Sequence, residues 1–183
     1  QRKDSNKIYS VHEPDVSCIA KGKVHKRYEF GNKVSLSVTS KGGWCVGAKS
    51  FEGNPYDGHT LAESLEQVEE FIKQSPKRVF VDRGYRGHNY KGESEVHVDR
   101  LRRGTIKPSL WKWMKRRSAI EPTIGHLKKD RRMDRNRLKG IEGDQINAIL
   151  SAAAMNFSKL MKHSEVFLRL WLRWLESIDV QRT

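Results

Sequence analysis

The sequence predicts an α/β domain in which a mixed β-sheet is flanked by helices. Short alternating segments that indicate strands occupy the N-terminal third, and an apolar run typical of a buried strand lies mid-chain. Amphipathic helical patterns dominate the C-terminal half. Two strands, a helix, one or two further strands and then helices form an order that suits a layered α/β fold.

The first predicted elements are the two strands of a β-hairpin. Residues 28–38 alternate apolar and polar side chains in their second half, as a half-buried strand does. Residues 40–43 form a Gly-containing turn cluster, and residues 44–48 resume as the second strand. Residues 51–59 are rich in Gly, Asn and Pro, which predicts a loop.

A helix and a buried strand come next. Thr60 is expected to cap a helix that ends at Ser75-Pro76. Its apolar face is expected to carry Leu61, Leu65, Val68, Phe71 and Ile72. Residues 78–81 are apolar enough for a strand that is buried on both faces, and residues 95–98 predict a weaker one.

Helical patterns fill the remainder of the chain. Residues 108–117 and 121–132 predict two basic helices. Residues 144–161 have apolar side chains at helical spacing, and residues 166–178 continue that pattern.

Composition excludes several classes of protein. No stretch of 18 apolar residues could span a membrane, and the N-terminal residues lack the apolar segment of a secretory signal. Cys18 and Cys45 stand 27 residues apart without CxxC spacing, so neither a disulfide scaffold nor a zinc knuckle is expected. These features favour the reducing cytoplasm.

The charge of the chain favours a polyanionic partner. The formal net charge is +14, and residues 101–140 hold 14 Lys or Arg against three acidic residues. Nucleic acid is the first expectation, because neutralising phosphates releases counterions, and an anionic membrane surface is the second. A basic protein without such a partner also remains open.

Two acidic residues are candidates for chemistry. Asp82 ends the predicted buried strand and opens a Gly-rich loop, where α/β sheets place ligand and metal sites. It is equally suited to a turn. Glu121 follows Arg117 by four residues and precedes Lys128 by seven, so one helix face would carry all three. Alternatively, Glu121 pairs with Ser118 in a capping box, or caps a helix that starts at Pro122.

The carboxylates of Asp82 and Glu121 would form a metal site if the fold brings them close together. At a separation of about 4 Å they would repel by about 4 kcal/mol at an effective dielectric of about 20, so they need a cation or a shared proton. Hard oxygen ligands beside a basic surface suggest Mg²⁺, which can stabilise both oxygens of a phosphoryl displacement. We therefore expect the Asp82 and Glu121 carboxylates to share one metal site.

Several motifs together resemble the C-terminal part of a bacterial insertion-sequence DDE transposase. The matching segments cover most of residues 6–160 and are residues 9–23, 28–34, 53–61, 82–88 and 120–128. The resemblance implies an RNase H-like fold in which three acids hold two Mg²⁺ ions. Such enzymes cut the 3′ ends of the element and join them to target DNA. Asp82 matches the second acid and Glu121 the third.

The motif of the third acid is matched in part. In that family the helix carries Tyr, Arg, Glu and Lys at fixed spacing, and Arg117, Glu121 and Lys128 occupy three of the four positions. Met114 stands where the Tyr is expected. The resemblance implies that Arg117 and Lys128 orient Glu121 or hold DNA.

The first acid of the family has no match in the sequence. It belongs to an Asp-Thr-Thr-like motif on the opening strand, and the chain contains no Asp-Thr pair. Asp4 and Asp15 lie outside any predicted strand, and Asp57 resembles a loop position. We therefore expect the first acid upstream of Gln1 and a catalytic domain that lacks its opening strand and is inactive alone.

The resemblance also divides the chain and implies partners. Residues 1–27 would be an N-terminal extension, 28–162 a partial catalytic domain and 163–183 a C-terminal amphipathic helix. The partner would be double-stranded DNA of the element ends and the target, bound by a homo-oligomer in the bacterial cytoplasm near the nucleoid, without a membrane. Expected phosphate contacts are Arg83, Arg86, Lys128, Lys129, Arg131 and Arg132.

Weaker candidates and rival functions stay open. His59, His88 and His126 each follow a Gly and could support the site or contact DNA. The pairs Trp111/Trp113 and Trp171/Trp174 could stack on bases, although packing between helices is favoured. A non-catalytic basic DNA-binding remnant and a nuclease of the same fold are the alternatives to a transposase.

Overall fold

The computed structural model describes residues 7–14, 16–20, 27–99 and 108–180. Its strands are β1 (Cys18–Ala20), β2 (Tyr28–Phe30), β3 (Lys33–Val38), β4 (Cys45–Phe51), β5 (Arg78–Val81) and β6 (Glu95–Val98). Its helices are α1 (Asp57–Ile72), α2 (Pro108–Arg117), α3 (Ile120–Asp130) and α4 (Gly140–Val180), with a short 3-10 turn at Arg83–Tyr85. The mixed α/β class predicted from the sequence is confirmed.

The hairpin β3–β4 is the centre of the molecule. Its strands pair antiparallel from Lys33 opposite Phe51 to Val38 opposite Cys45, with an irregularity near Ser37. Helix α1 covers one face, where a side chain at Gly47 would collide with Val68. Helices α3 and α4 cover the other face. The main core there consists of Cys45, Ala48, Leu127, Ala148 and Ala152.

Side-chain amides close the outer edge of β4. Gln67 of α1 accepts a hydrogen bond from the Ala48 N–H at 2.8 Å. Gln145 of α4 accepts from the Ser50 N–H at 2.7 Å and donates to the Ala48 carbonyl at 2.9 Å. Asn156 makes the same pair of bonds with the backbone of Cys45. This edge therefore has no unpaired groups to offer to another strand at these positions.

Strands β5 and β6 form a separate parallel pair. Val81 lies opposite Val98 at the carboxyl end of both strands. Leu61 and Leu65 of α1 pack against Val81 in a second core, so α1 spans both strand pairs. In the part of the chain that is described, the six strands form three separate two-stranded sheets: β1–β2, β3–β4 and β5–β6.

Several sequence expectations for the strands and α1 need correction. Residues 28–38 are two strands rather than one, because Gly31 adopts φ = 126° and breaks the run. Helix α1 begins at Asp57 instead of after Thr60, whose hydroxyl bonds the Asp57 carbonyl inside the first turn. At its other end Phe71 and Ile72, which were expected on the apolar face, are exposed. Strand β5 is not buried on both faces, since Val79 and Phe80 are only half-buried and Val81 alone is buried.

The ends of the chain also differ from expectation. Strand β1 lies inside the segment expected to be an extension. Helix α4 runs without a break through residue 163, where a separate C-terminal helix was expected to begin. The domain limits themselves remain predictions. Among the described residues, no helix combines the length and apolar character needed to cross a membrane.

Candidate catalytic cleft

A cleft of about 1600 Å³ separates the hairpin from the parallel pair. Its apolar lining includes Val34 and Leu36 of β3, Phe80 and Val81 of β5, and Ile120 and Ile124 of α3. In an antiparallel ladder the backbone groups of alternate residues point away from the partner strand. The backbone groups of Ser50 and Ala48 point away from β3, toward the side-chain amides at the outer edge of β4. Val34 and Leu36 lie opposite these two residues, so their backbone groups point away from β4.

Asp82 lies at the mouth of this cleft. It follows the last residue of β5 and begins the 3-10 turn, whose Gly84 N–H donates to Asp82 Oδ1 at 2.9 Å. The residue is exposed. Asp82 therefore fits both interpretations, a turn residue and a site residue. One carboxylate oxygen accepts the hydrogen bond of the turn, and the side chain also lines the cleft.

Asp57 lies beside Asp82. The sequence did not predict this position of Asp57. A side chain at Gly84 would collide with Asp57 Oδ2 and lie 3.0 Å from Asp82 Oδ1. Because both oxygens border the same point, they are no more than about 5 Å apart. Lys33 Nζ is 2.5 Å from Asp57 Oδ1 and donates to the Pro55 carbonyl at 2.6 Å. A lysine thus partly neutralises this pair of carboxylates.

Tyr85 closes the inner side of the carboxylate pair. Burial raises the pKa of its phenol, and the charges of Asp57 and Asp82 raise it further. Hydrogen bonds with Ser35 and Thr60 oppose that rise in pKa. The Tyr85 hydroxyl is therefore protonated at pH 7. Its uncharged side chain lies between the two carboxylates and the core that contains Leu61 and Leu65.

Asp99 is a second acid that the sequence analysis missed. Its N–H donates to the Val81 carbonyl at 3.0 Å, so it follows β6 as Asp82 follows β5. The Arg117 guanidinium contacts Asp99 Oδ2 at 3.3 Å. Residues after neighbouring parallel strands share one sheet edge, and that rule was the signal that could have identified Asp99. The contact brings the end of α2 to the edge that carries Asp82.

Glu121 lies in the first turn of α3 and is exposed. Its carboxylate makes no ion pair or hydrogen bond with any residue that the structure describes. The capping-box alternative is wrong, because Ala119 is the N-cap and no side chain caps the helix. The alternative start at Pro122 is also wrong, since Pro122 lies within the helix. The meeting of Glu121 with Asp82 stays a prediction.

The predicted phosphate contacts fall into three groups. Arg83, Arg86, Lys129 and Arg132 are exposed. Lys128 lines the cleft and is 3.8 Å from Glu29 Oε2. Arg131 instead donates to Ser158 of α4 at 2.6 Å, so it fastens α3 to α4. Arg102, Arg103 and Lys107 lie outside the described residues, as do Asp4 and Asp15.

Most of the weaker candidates have local partners. His126 contacts Asp130 at 2.7 Å, and His59 packs edge-on against Tyr56. Nδ1 of His88 is buried without a partner among the described residues. Trp111 and Trp113 lie beneath the charged groups of Lys115 and Arg116 of the same helix. Buried Met114 replaces the expected tyrosine in that helix.

The donor set suits a hard divalent cation in its chemistry. Asp82 and Glu121 both offer exposed carboxylate oxygens, which Mg²⁺ prefers. No group of three potential metal ligands among His, Cys, Asp and Glu is found in the described part of the chain.

The chain matches one protein family over most of its length. The sequence model of the transposase DDE domain family matches residues 10–157. No curated protein matches the chain, and no solved structure does. Domains of this family cleave and transfer DNA in transposition and generally use divalent metal ions. Because the match covers most of the described fold, including Asp82 and Glu121, the chain belongs to the transposase DDE domain family.

Proposed function

We propose that this chain is the greater part of the catalytic domain of a bacterial insertion-sequence transposase with an RNase H-like fold. It would bind the DNA of element ends and target near the nucleoid, as part of a homo-oligomer. Asp82 and Glu121 would hold Mg²⁺. The observation that carries this proposal is the position of Asp82, at the end of a sheet strand and at the mouth of a cleft that also holds Arg117 and Lys128.

The open cleft supports the further proposal of a missing central strand. Strand β3 pairs with β4, and β5 pairs with β6. Residues of β3 and of β5 both line the cleft. A strand inserted there would bury Val34, Leu36, Phe80 and Val81 and satisfy the backbone edge of β3. We propose that this strand carries the first acid of the family and is encoded upstream of Gln1.

The residues of the chain have separate tasks in this proposal. Asp82 is oriented by the Gly84 N–H, and Arg117 brings the end of α2 to the ends of β5 and β6 through Asp99. Bound Mg²⁺ would stabilise the attacking and leaving oxygens of the phosphoryl group. Lys128 and the exposed cations of α3 would position the DNA backbone.

The first test is DNA binding by residues 1–183. Six phosphate contacts give a log–log dependence of affinity on salt near −5, at about −0.9 per contact. Lys129→Ala and Arg132→Ala should each reduce that slope by about 1, whereas Lys77→Ala, outside the basic segment, should not. A wild-type slope shallower than about −2, measured by fluorescence anisotropy on duplexes of unrelated sequence, contradicts the proposal.

The second test is strand cleavage with Mg²⁺. The chain alone should be nearly inert, and fusion to the segment encoded immediately upstream should restore cleavage and strand transfer. Asp82→Asn and Glu121→Gln in that fusion should each lower the rate by roughly 100-fold or more, which corresponds to several kcal/mol of metal-dependent stabilisation. Glu63→Gln, an exposed carboxylate on α1, serves as the matched control.

The outcomes separate the rival functions. Cleavage without strand transfer indicates a nuclease of the same fold. Steep salt-dependent binding without cleavage by the fusion indicates a non-catalytic DNA-binding remnant. Robust cleavage by residues 1–183 means that the first acid lies within the chain, and Asp57→Asn then becomes the decisive variant, because Asp57 borders Asp82.

A further inference from the structure

Lys33 and Asp57 form an ion pair in the cleft, and the proposed function gives this pair no role. Lys33 is the first residue of β3, and Asp57 is the first residue of α1. Nζ of Lys33 lies 2.5 Å from Asp57 Oδ1 and donates to the Pro55 carbonyl at 2.6 Å. Both side chains line the cleft, as Asp82 does. The ion pair therefore shares the cleft with an acid that is proposed to hold Mg²⁺.

Hydrogen bonds to neighbouring elements fix the backbone around Lys33. The Lys33 N–H donates to the Gly53 carbonyl at 3.0 Å. The preceding residue, Asn32, accepts from the Gly53 N–H at 2.9 Å and donates to Asp144 of α4 at 2.7 Å. The start of β3 is therefore held in place before any substrate binds, which lowers the entropy cost of using Lys33 as a ligand.

A second lysine–acid pair joins the same hairpin to the same helix and provides a comparison. Lys49 Nζ of β4 lies 3.7 Å from Glu63 Oε2 of α1. These two side chains are 35% and 56% exposed, whereas those of Lys33 and Asp57 are 22% and 32% exposed. Neither Lys49 nor Glu63 lines the cleft. The pair in the cleft is thus the shorter and the more buried of the two.

Stability alone does not account for a half-buried ion pair at this position. Removing two charges from water costs about as much as their attraction returns, so apolar side chains of similar volume are often equally stable. The lining next to Lys33 includes the apolar Val34 and Phe80, and a methionine at position 33 would suit it. The positive charge is therefore the property of Lys33 that packing does not explain.

The Lys33 ammonium keeps one N–H for a ligand. An ammonium has three N–H donors. Asp57 and Pro55 accept from two of them, and no other residue that the structure describes accepts from the third. Asp57 Oδ2 is no more than about 5 Å from Asp82 Oδ1, so the ammonium and Asp82 flank the same part of the cleft. A phosphate there could accept from the ammonium with one oxygen and bind a cation at Asp82 with another.

Asp57 makes the ammonium compatible with a metal ion nearby. Two cations repel each other at short range, so an uncompensated Lys33 would oppose Mg²⁺ at Asp82. One oxygen of Asp57 contacts the ammonium, and the other borders Asp82. Asp57 therefore offsets the lysine charge and still leaves one N–H of the ammonium available.

We propose that Lys33 binds the DNA phosphate next to Asp82, at which the strand is cut, and that Asp57 positions Lys33 for this contact. The inference rests on the proposed function and deepens it, because it assigns a residue to the reacting phosphate rather than to the flanking backbone. A positive group fixed beside the phosphoryl oxygens stabilises the negative charge that they carry during transfer.

Lysine acetylation followed by mass spectrometry tests this contact in wild-type residues 1–183. A bound phosphate shields a lysine from the reagent. With duplex DNA and Mg²⁺ present, acetylation of Lys33 should fall several-fold relative to the free protein, whereas that of Lys49 should not change. The wild-type chain is used, so the result does not depend on the folding of a variant. An unprotected Lys33 in a chain that has bound DNA overturns the inference.

The salt dependence of DNA binding with Mg²⁺ separates a phosphate contact from a structural ion pair. Lys33→Met should make the log–log slope shallower by about 1, because one phosphate contact is lost. Lys33→Arg and Lys49→Met should keep the wild-type slope. Asp57→Asn breaks the same ion pair but retains the ammonium, so its slope should not become shallower. Equal losses of slope in Lys33→Met and Asp57→Asn would identify a purely structural pair and overturn the inference.

The outcomes distinguish this inference from the proposed function. A wild-type slope near −5 with an unprotected Lys33 supports DNA binding and overturns only the Lys33 contact, at about −0.9 per phosphate. A wild-type slope shallower than about −2 contradicts both. Equal protection of Lys33 and Lys49 shows that DNA covers the surface without selecting the cleft, and it also overturns the contact. Protection of Lys33 alone, with a shallower slope in Lys33→Met, supports it.

Discussion

The two edges of the hairpin β3–β4 differ: the backbone of β4 is hydrogen-bonded by side chains, whereas β3 borders the cleft. The β4 edge is closed by amide side chains of Gln67, Gln145 and Asn156, which replace the backbone of a neighbouring strand. The β3 edge instead borders the cleft, with Val34 and Leu36 in its lining. A buried backbone group without a partner costs about 1–3 kcal/mol, so closing one edge and leaving the other open is a specific feature of the fold.

The closed edge belongs to the core, whereas the open edge borders the proposed site. The closed edge belongs to the core of Ala48, Leu127 and Ala152, which holds two helices against the sheet. The open edge faces the acids of the site, since Asp57 and Asp82 line the same cleft. The side of the hairpin that lacks a partner strand is therefore the side on which the proposed site lies.

The comparison predicts its largest effect in the core. Leu127 is fully buried, so Leu127→Ala should lower the free energy of unfolding by about 3–4 kcal/mol. Leu36→Ala, the same change at the open edge, should cost about half as much because Leu36 is only partly buried. Urea denaturation followed by circular dichroism measures both. Equal losses would show that the cleft side is as tightly packed as the closed side.

A smaller effect is expected from opening the closed edge. Gln145→Met removes the bonds to the Ser50 N–H and the Ala48 carbonyl and should destabilise the fold by about 2 kcal/mol. Gln67→Met removes one bond and should cost about 1 kcal/mol. Hydrogen exchange at the Ser50 amide should accelerate in Gln145→Met alone. Unchanged exchange there would mean that the amide does not close the edge.

The smallest effect concerns the acids at the open side. Gly84→Ala forces Asp57 away from its position beside Lys33, at a cost of about 1 kcal/mol in stability. In the fusion that carries the upstream segment, the same variant should slow cleavage without changing DNA affinity. Gly125→Ala is the control, because a side chain there meets nothing within 4 Å and replaces a helical glycine. Full cleavage by Gly84→Ala would exclude a role for the Asp57–Asp82 pair.

The local elements were predictable because local spacing sets them. Alternation in residues 33–38, the apolar run at 78–81 and the helical spacing after residue 144 all appear as strands or helices at those places. The boundaries were less predictable. Gly31 divides a strand through its backbone conformation, and α1 begins at Asp57 rather than after Thr60.

The site was predictable only in part. The sequence by itself determined that Asp82 follows a strand, that Glu121 opens a basic helix and that the chain resembles a DDE transposase, because short-range pattern and motif carry that information. The tertiary structure decided that Asp57 lies beside Asp82, that Arg117 binds Asp99 and that one edge of the hairpin is closed while the other is open. These contacts join residues 18 to 111 positions apart, and their geometry depends on how helices and strand pairs pack rather than on any local periodicity.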